Sequence, residues 1–313
     1  MKTGLIVSSL VLPLALAACA GGGGGGGGSS TPVTPPPAPV PVTVSGNAIS
    51  GTYTLNNTTR VGNVALSAVD NTASLTTTGL AGRNGATSNV TSATISSTNA
   101  AVAPAGNSLT VNGSSNNFAN GFTLFDPKPN QIYGNTAAIQ PIAGAAVAYT
   151  YLTYGTWFNC GSGCGTTNET GVSGWYVAGQ QTPSASIPVS GSATYIGTTD
   201  GNFFNGISPS QRVQADLQVV ATFGNPGGSL TFTTNNTQLQ NLQTNAITLA
   251  PNLNMNGTLT YGAGSNQFTG SVTDGVHSGS ATGRFYGPTA SEVGGVYSLT
   301  GGGQTNVGSF VAK

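Results

Sequence analysis

Residues 212–223 read Arg-Val-Gln-Ala-Asp-Leu-Gln-Val-Val-Ala-Thr-Phe, and their pattern decides the fold class. Val213, Ala215, Leu217, Val219, Ala221 and Phe223 alternate with Arg212, Gln214, Asp216, Gln218 and Thr222, and only Val220 breaks the rhythm. A period of two turns one set of side chains toward a core and the other toward water, which is a half-buried β-strand. Working outward, shorter runs of this kind lie at 192–197, 229–234, 257–261, 267–273, 280–286, 295–299 and 306–312, with Gly- and Asn-bearing turns between them. About eight such strands between Ser190 and Lys313 predict an antiparallel barrel or sandwich. The composition agrees, because 48 glycines with abundant Thr, Ser and Asn suit a turn-dense β protein and good helix formers are sparse.

Upstream, apolar and aromatic residues gather at 122–126 and 143–158, including Tyr149, Tyr151, Tyr154 and Trp157. The polar stretch from Ser45 to Asn120 carries strand-like runs at 49–55 and 61–69 and no repeat of fixed period, so a solenoid is not expected. Before it, Gly21 to Gly28 are eight consecutive glycines, followed by Pro32, Pro35, Pro36, Pro37, Pro39 and Pro41. Such a segment cannot build a core. As a flexible coil joined to a stiffer polyproline spacer, it reaches roughly 50 Å. The chain begins with a positive Met1-Lys2 and a short apolar stretch from Leu5 to Leu16, the pattern of a secretion signal and too short for a permanent span of about 20 residues. Leu16-Ala17-Ala18-Cys19 resembles the lipobox of bacterial lipoproteins, which implies cleavage after residue 18 and lipidation of Cys19. Ala20 in place of an aspartate resembles the sorting signal for the outer membrane. Several acyl chains, at about 0.8 kcal/mol per buried CH₂, would make that anchor stable.

Charge excludes several partners. Seven basic and seven acidic residues over 313 positions leave no cluster able to neutralise nucleic-acid phosphates or anionic headgroups. A catalytic serine would need a base, yet the sole histidine, His277, reads as a solvated turn residue. Asp274 or Asp216 could pair with it, but no Gly-x-Ser-x-Gly elbow supplies the nucleophile. The glutamates, Glu169 and Glu292, are scattered rather than paired for glycoside hydrolysis. Cys160-Gly-Ser-Gly-Cys164 reads first as a disulfide closing a hairpin tip in an oxidising compartment, with metal binding, redox activity and free thiols as the other readings. No cofactor and no metal site are expected, and no enzyme.

The carboxyl end adds a resemblance. Gly283-Arg284-Phe285-Tyr286-Gly287-Pro288-Thr289-Ala290-Ser291-Glu292-Val293-Gly294-Gly295-Val296-Tyr297-Ser298, followed by Val307-Gly308-Ser309-Phe310-Val311-Ala312-Lys313, resembles the closing strands of the barrel in transferrin-binding protein B and its relatives. Gly191-Ser192-Ala193-Thr194-Tyr195-Ile196-Gly197 resembles that family's opening barrel strand, and Tyr154–Trp157 with Gly174–Gly179 resembles the segment before it. The resemblance implies a β-rich handle subdomain ahead of an eight-stranded barrel filled by side chains. It also implies an exterior lipoprotein that binds a host protein or haem, or serves a neighbouring outer-membrane transporter.

The expectation is therefore an all-β chain: a signal peptide at 1–18, a lipidated Cys19 and disordered tether at 19–44, a handle-like subdomain at 45–185, and an antiparallel eight-stranded β-barrel at 186–313. Its predicted role is capture of an extracellular protein or haem-type ligand from the outer membrane and cell surface, with the membrane bound through the lipid. The alternative is a structural, shielding envelope lipoprotein without a specific ligand. Exposed aromatics at one barrel end would favour binding, and uniformly polar tips would favour shielding.

Overall fold

The computed structural model describes residues 42–56, 58–59, 62–78, 88–89, 92–96, 108–112, 117–118, 131–134, 149–163, 167–206, 211–241, 244 and 246–313. The strands before residue 180 are β1 (Val42–Asn56), β2 (Gly62–Thr78), β3 (Ser88–Asn89), β4 (Ser92–Ser96), β5 (Ser108–Asn112), β6 (Asn117–Phe118), β7 (Gln131–Gly134), β8 (Leu152–Ser162) and β9 (Asn168–Gly179). Among the described residues, seven of them form one sheet in the order β5-β4-β2-β1-β9-β8-β7, while β3 pairs with β6. The polar stretch from residue 45 thus builds strands. Ile49, Tyr53 and Val64 give it a buried face although most of its residues are Thr, Ser and Asn.

After residue 190 follow β10 (Ser192–Phe204), β11 (Gln211–Thr222), β12 (Gly227–Asn241), β13 (Ile247–Leu249), β14 (Asn256–Gly262), β15 (Gln267–Thr273), β16 (Ser278–Tyr286), β17 (Glu292–Gly301) and β18 (Gln304–Ala312). They run β11-β10-β18-β17-β16-β15-β14-β12-β13, and a further pairing of β11 with β12 closes eight of them into an antiparallel barrel. The alternation at 212–223 does what its period requires: Val213, Ala215, Leu217, Val219, Ala221 and Phe223 are all buried.

The barrel is filled rather than open. Phe232, Phe268, Phe285 and Phe310 are fully buried, with ring centroids 5.1 Å apart for Phe268–Phe285 and 5.3 Å for Phe232–Phe310. Each such side chain contributes roughly 1.5–3 kcal/mol by burial. Exposed positions on the wall include Thr194, Gln218, Thr231, Thr258, Thr260, Thr269, Ser271 and Ser280, with Ile196 of β10 an apolar exception among them. A membrane-spanning barrel presents an apolar band outward, so this polar wall faces water. No helix among the described residues is long and apolar enough to cross a membrane.

Part of the barrel wall is not wet, because the N-terminal sheet packs against it. Val296 and Val307 join Ile49, Tyr53 and Trp175 in one cluster, and Val311 and Tyr286 join Leu152, Tyr154 and Val177 in another. Strand β17 is consequently buried on both faces, and its Gly294-Gly295 pair follows from that. A Cβ on Gly294 would stand 2.9 Å from Val177 Cγ1, while one on Gly295 would stand 2.8 Å from Phe310 Cζ inside the barrel. One glycine admits the neighbouring sheet and the other admits a ring.

The seam is also polar. The Glu292 carboxylate, 2% exposed, accepts the backbone N–H groups of Thr150, Tyr151 and Leu152 at 2.6, 2.9 and 3.1 Å. Burial pushes the Glu292 carboxyl above its ordinary 4.5, against the lowering effect of those three N–H groups and of Lys313. Arg212 Nε donates to Asp200 at 2.6 Å, and Arg284 Nη2 donates to the Asn71 carbonyl at 2.6 Å.

Two strands outrun the sequence pattern. β10 continues from Gly197 to Phe204 through Thr198, Thr199 and Asp200, all buried, because these polar residues face protein on both sides. β12 continues past Thr234 to Asn241 across an irregularity in its pairing between Gln214 and Asp216. There Asn236 takes φ 53° and donates to Asp216 Oδ2 at 2.8 Å.

Candidate binding surface

The barrel has one end at which β10, β12, β15 and β17 finish, as the pairings Phe203↔Gln211, Gln211↔Asn241, Ser278↔Thr300 and Gly301↔Gln304 require. Here the β15–β16 turn, Thr273-Asp274-Gly275-Val276-His277, is fixed almost atom by atom. Asp274 Oδ1 accepts the N–H groups of Val276 and His277 at 2.9 and 2.7 Å, an Asx turn of the kind Asp favours. Thr273 Oγ1 accepts the Gly275 N–H at 3.0 Å and donates to the His277 carbonyl at 2.8 Å. Gly275 sits at φ 89°, a left-handed conformation that glycine adopts without a Cβ penalty.

His277 is the correction here. It does not stand in solvent: it is 2% exposed, with Nδ1 2.7 Å from Asp274 Oδ2 and Nε2 2.7 Å from Gln304 Oε1. The Phe203 ring meets it edge-on at 5.9 Å. The sequence marked His277 as a turn residue correctly. It carried no sign that Gln304 and Phe203, far along the chain, would close over the ring.

The structure therefore brings together one expected pair, Asp274 and His277, in an arrangement that anchors a turn. A nucleophile would have to stand where Gln304 stands, so the arrangement is not that of an acyl-transfer triad. Asp216 is held by Asn236 on another strand. Glu169, which accepts the Tyr53 hydroxyl at 2.8 Å, begins β9 beside Leu55, whereas Glu292 binds Leu152 opposite Gly179 at the end of that strand. Ten residues of strand separate those places, roughly 30 Å, far beyond the spacing of a glycosidase pair. Among the described residues no group of three or more His, Cys, Asp or Glu side chains could hold a metal. Cys160 lies on β8 opposite Gly171; its side chain, Cys164, Cys19, the signal and residues 19–41 of the expected tether lie outside the described residues, whereas Val42, Thr43 and Val44, expected as the end of the tether, already pair with β2 as the start of β1.

What the locked turn presents is Val276, 67% exposed. Near the same end, β13 pairs with Gln238–Gln240 of β12 and exposes Ile247 at 59% and Leu249 at 74%. Residues 247 and 249 share a face of their strand by its period of two. Among the described residues the other exposed large apolar side chains are Val69, Val189 and Ile196, and none of these six is aromatic. Tyr149, Tyr154, Tyr195 and Tyr297 are interior, and burial pushes each phenol well above its ordinary value of 10.0. The surface is thus aliphatic, neutral and displayed on braced backbone, which suits it to hold another apolar surface.

Comparison with known proteins agrees over the barrel. Residues 187–313 match a family model described as the C-lobe and N-lobe beta barrels of Tf-binding protein B, so this part of the chain has that family's barrel fold. No curated protein matches. Among solved structures, a mutant of transferrin-binding protein B from Haemophilus parasuis is 13% identical, covering 88% of this chain and 76% of its own, with a TM-score of 0.36. A surface lipoprotein is 15% identical over 85% of this chain and 98% of its own, with a TM-score of 0.39. The transferrin-binding protein B of Neisseria meningitidis is 15% identical over 85% of this chain and 63% of its own, with a TM-score of 0.34.

Proposed function

We propose, from a barrel of the transferrin-binding protein B type at residues 187–313, that this chain is a non-enzymatic binding lipoprotein. In this reading Cys19 carries the lipid, residues 19–41 are the tether, β1 beginning at Val42, and the folded part stands on the outer face of the outer membrane. It captures an extracellular protein through the barrel end around Val276, Ile247 and Leu249. The observation that carries the reading is the Asp274 turn: several hydrogen bonds are spent on holding one exposed valine at a fixed place. Exposed aliphatic groups on a rigid backbone lose little entropy when covered, which is what an interface core requires.

A haem-type ligand is less well supported. His277 has both ring nitrogens engaged and the buried tyrosines offer no accessible phenolate. The Cys160–Cys164 disulfide belongs to the proposal as well, as a staple on the hairpin between β8 and β9.

Protease shaving of intact cells tests the geography, with a periplasmic control. Loss of the barrel from intact cells is expected. Survival until the envelope is broken would overturn surface display. Crosslinking in the organism's growth fluid, with Val276→Asp as the comparison, tests the surface. A crosslinked partner lost in the variant is expected; equal crosslinking in both, or none in either, favours the shielding role instead.

A further inference from the structure

β13 and β14 lie in line along one side of β12. β14 pairs with it as far as Asn256↔Thr233, and β13 takes over from Leu249↔Gln238 to Ile247↔Gln240. On their other side the two differ. β15 covers β14, but it stops at Thr273 opposite Asn256 and turns back through Asp274 to His277. Among the described residues no strand runs along the outer edge of β13, which ends the sheet order. The barrel wall is thus one stave short at its rim, and the turn that carries Val276 stands at the foot of the gap.

The missing stave leaves hydrogen-bonding groups open. The Asn241 N–H donates to the Ala246 carbonyl at 2.9 Å and the Ala250 N–H to the Thr237 carbonyl at 2.8 Å, so the even-numbered residues of this segment turn their backbone toward β12. By the alternation of an antiparallel ladder, the N–H and C=O groups of Ile247 and Leu249 turn the other way. These four groups bond no described residue. The side chains of Ile247 and Leu249, 59% and 74% exposed, share one face of the same edge. Edge strands are commonly guarded by charged residues or by proline, and β13 has neither. Its surroundings are as neutral, since the chain holds no Asp, Glu, Lys or Arg from Leu217 to Thr273.

We propose that β13 takes up an extended, uncharged segment of the captured protein as an added strand, with apolar side chains at alternate positions. The inference rests on the reading of this barrel end as the binding surface and names what the partner must present there. Donors and acceptors that alternate along an edge fit an extended main chain, and a helix or a flat apolar surface supplies no complementary row. Main-chain bonds at Ile247 and Leu249 set the register, and alternate apolar side chains then meet the two aliphatic groups on the shared face. A charged side chain at those positions would lose water against an edge with no opposite charge to meet it.

A blocked pentapeptide of alternating threonine and valine is the probe, titrated into the isotope-labelled full chain and followed by amide NMR and hydrogen exchange. Shifts of the Ile247 and Leu249 amides and slower exchange at both are expected, and the N-methylated peptide, which keeps the side chains but has no N–H to give, should lose both effects. Equal binding of the two peptides, or no change at Ile247 and Leu249, overturns the proposal. Ile247→Pro supplies a second arm: it removes one outward N–H and leaves the bonds to β12, whereas Ile247→Ala trims the side chain and keeps the N–H. In crosslinking from growth fluid the proline variant should capture about tenfold less partner than the alanine variant. Equal capture by the two, with Val276→Asp still abolishing it, overturns strand addition and leaves the binding surface standing. Capture untouched by Val276→Asp removes that surface and this proposal with it. A crosslinked product with the mass of two copies of this chain overturns it as well, because the occupant is then the protein itself. The peptide arm uses the unaltered chain, so it carries the test if the proline variant fails to fold by circular dichroism.

Discussion

Replacing Glu292 should loosen the N-terminal sheet from the barrel before either part loses its own fold. The carboxylate accepts three backbone N–H groups, those of Thr150, Tyr151 and Leu152. In Glu292→Ala each orphaned donor costs about 1–3 kcal/mol when it stays buried. Leu152 is 2% exposed and its N–H has no water to turn to, whereas Thr150 and Tyr151 are half-buried and regain part of the loss by hydration. Removing a buried charge returns a further part, so the net cost comes to about 2–3 kcal/mol. Both tryptophans, Trp157 on β8 and Trp175 on β9, belong to the N-terminal sheet, so their fluorescence follows that sheet while far-UV circular dichroism follows all the strands. In urea the fluorescence midpoint of the variant should fall ahead of the dichroism midpoint. A shift equal in both probes, or one below about 0.5 kcal/mol, would refute the assigned clasp. The pH dependence has a definite sign. Because burial raises the folded pKa above the ordinary 4.5, the stability linked to this group is fully present below about pH 4.5 and is lost as pH rises through the folded value. The gap between wild type and Glu292→Gln should therefore be widest near pH 4 and narrow toward neutrality. A gap that widens toward neutrality would show that the three N–H groups outweigh desolvation.

Three other outcomes follow from the same structure. Asp274→Ala removes the acceptor for two turn N–H groups and the partner of His277, and should lower stability by about 1–3 kcal/mol in thermal unfolding while weakening any partner held at Val276. Gly294→Ala should cost about 1–3 kcal/mol by overpacking against Val177, read from the urea midpoint, whereas the exposed Gly302→Ala, at φ 57° with open space around it, should cost about 1 kcal/mol from backbone strain alone. Partner binding at the Val276 end should change less than about threefold between 50 and 500 mM salt, because the surface offers few ion pairs to screen; a steep salt dependence in a pull-down titration would point to another face of the molecule.

The legible parts of the fold were those where one face is wet. β11, β14 and β15 keep water on one side, so alternation marked them. β17 is buried on both sides and the middle of β10 carries buried polar residues, so the pattern marked only the short runs 295–299 and 192–197 of them, and the resemblance to a known family of barrels reached further into β17. β13 spans three residues and is held by β12 alone, too little for any local pattern to announce. The Asp274–His277 pair was visible as spacing in a turn, but its burial depends on Gln304 and Phe203, whose approach is a property of barrel closure. Glu292 read as a scattered acid because its partners are backbone N–H groups 140 to 142 positions away, and backbone groups leave no trace in a sequence.

The seat of β18 has a consequence for how the barrel comes to exist. It lies between β10 and β17, and Ile196 exchanges backbone hydrogen bonds with Lys313 at 2.8 and 3.1 Å. A chain made from its amino end delivers this strand after every other stave of the barrel. Until it arrives, β10 and β17 are two open edges facing each other across a gap, each able to recruit a strand from a neighbouring chain. Closure then joins residues more than a hundred positions apart, a slow step for topological reasons. The interval in which the molecule is most exposed to aggregation is thus set by the delivery of β18, and shortening the chain by these few residues would prolong that interval indefinitely.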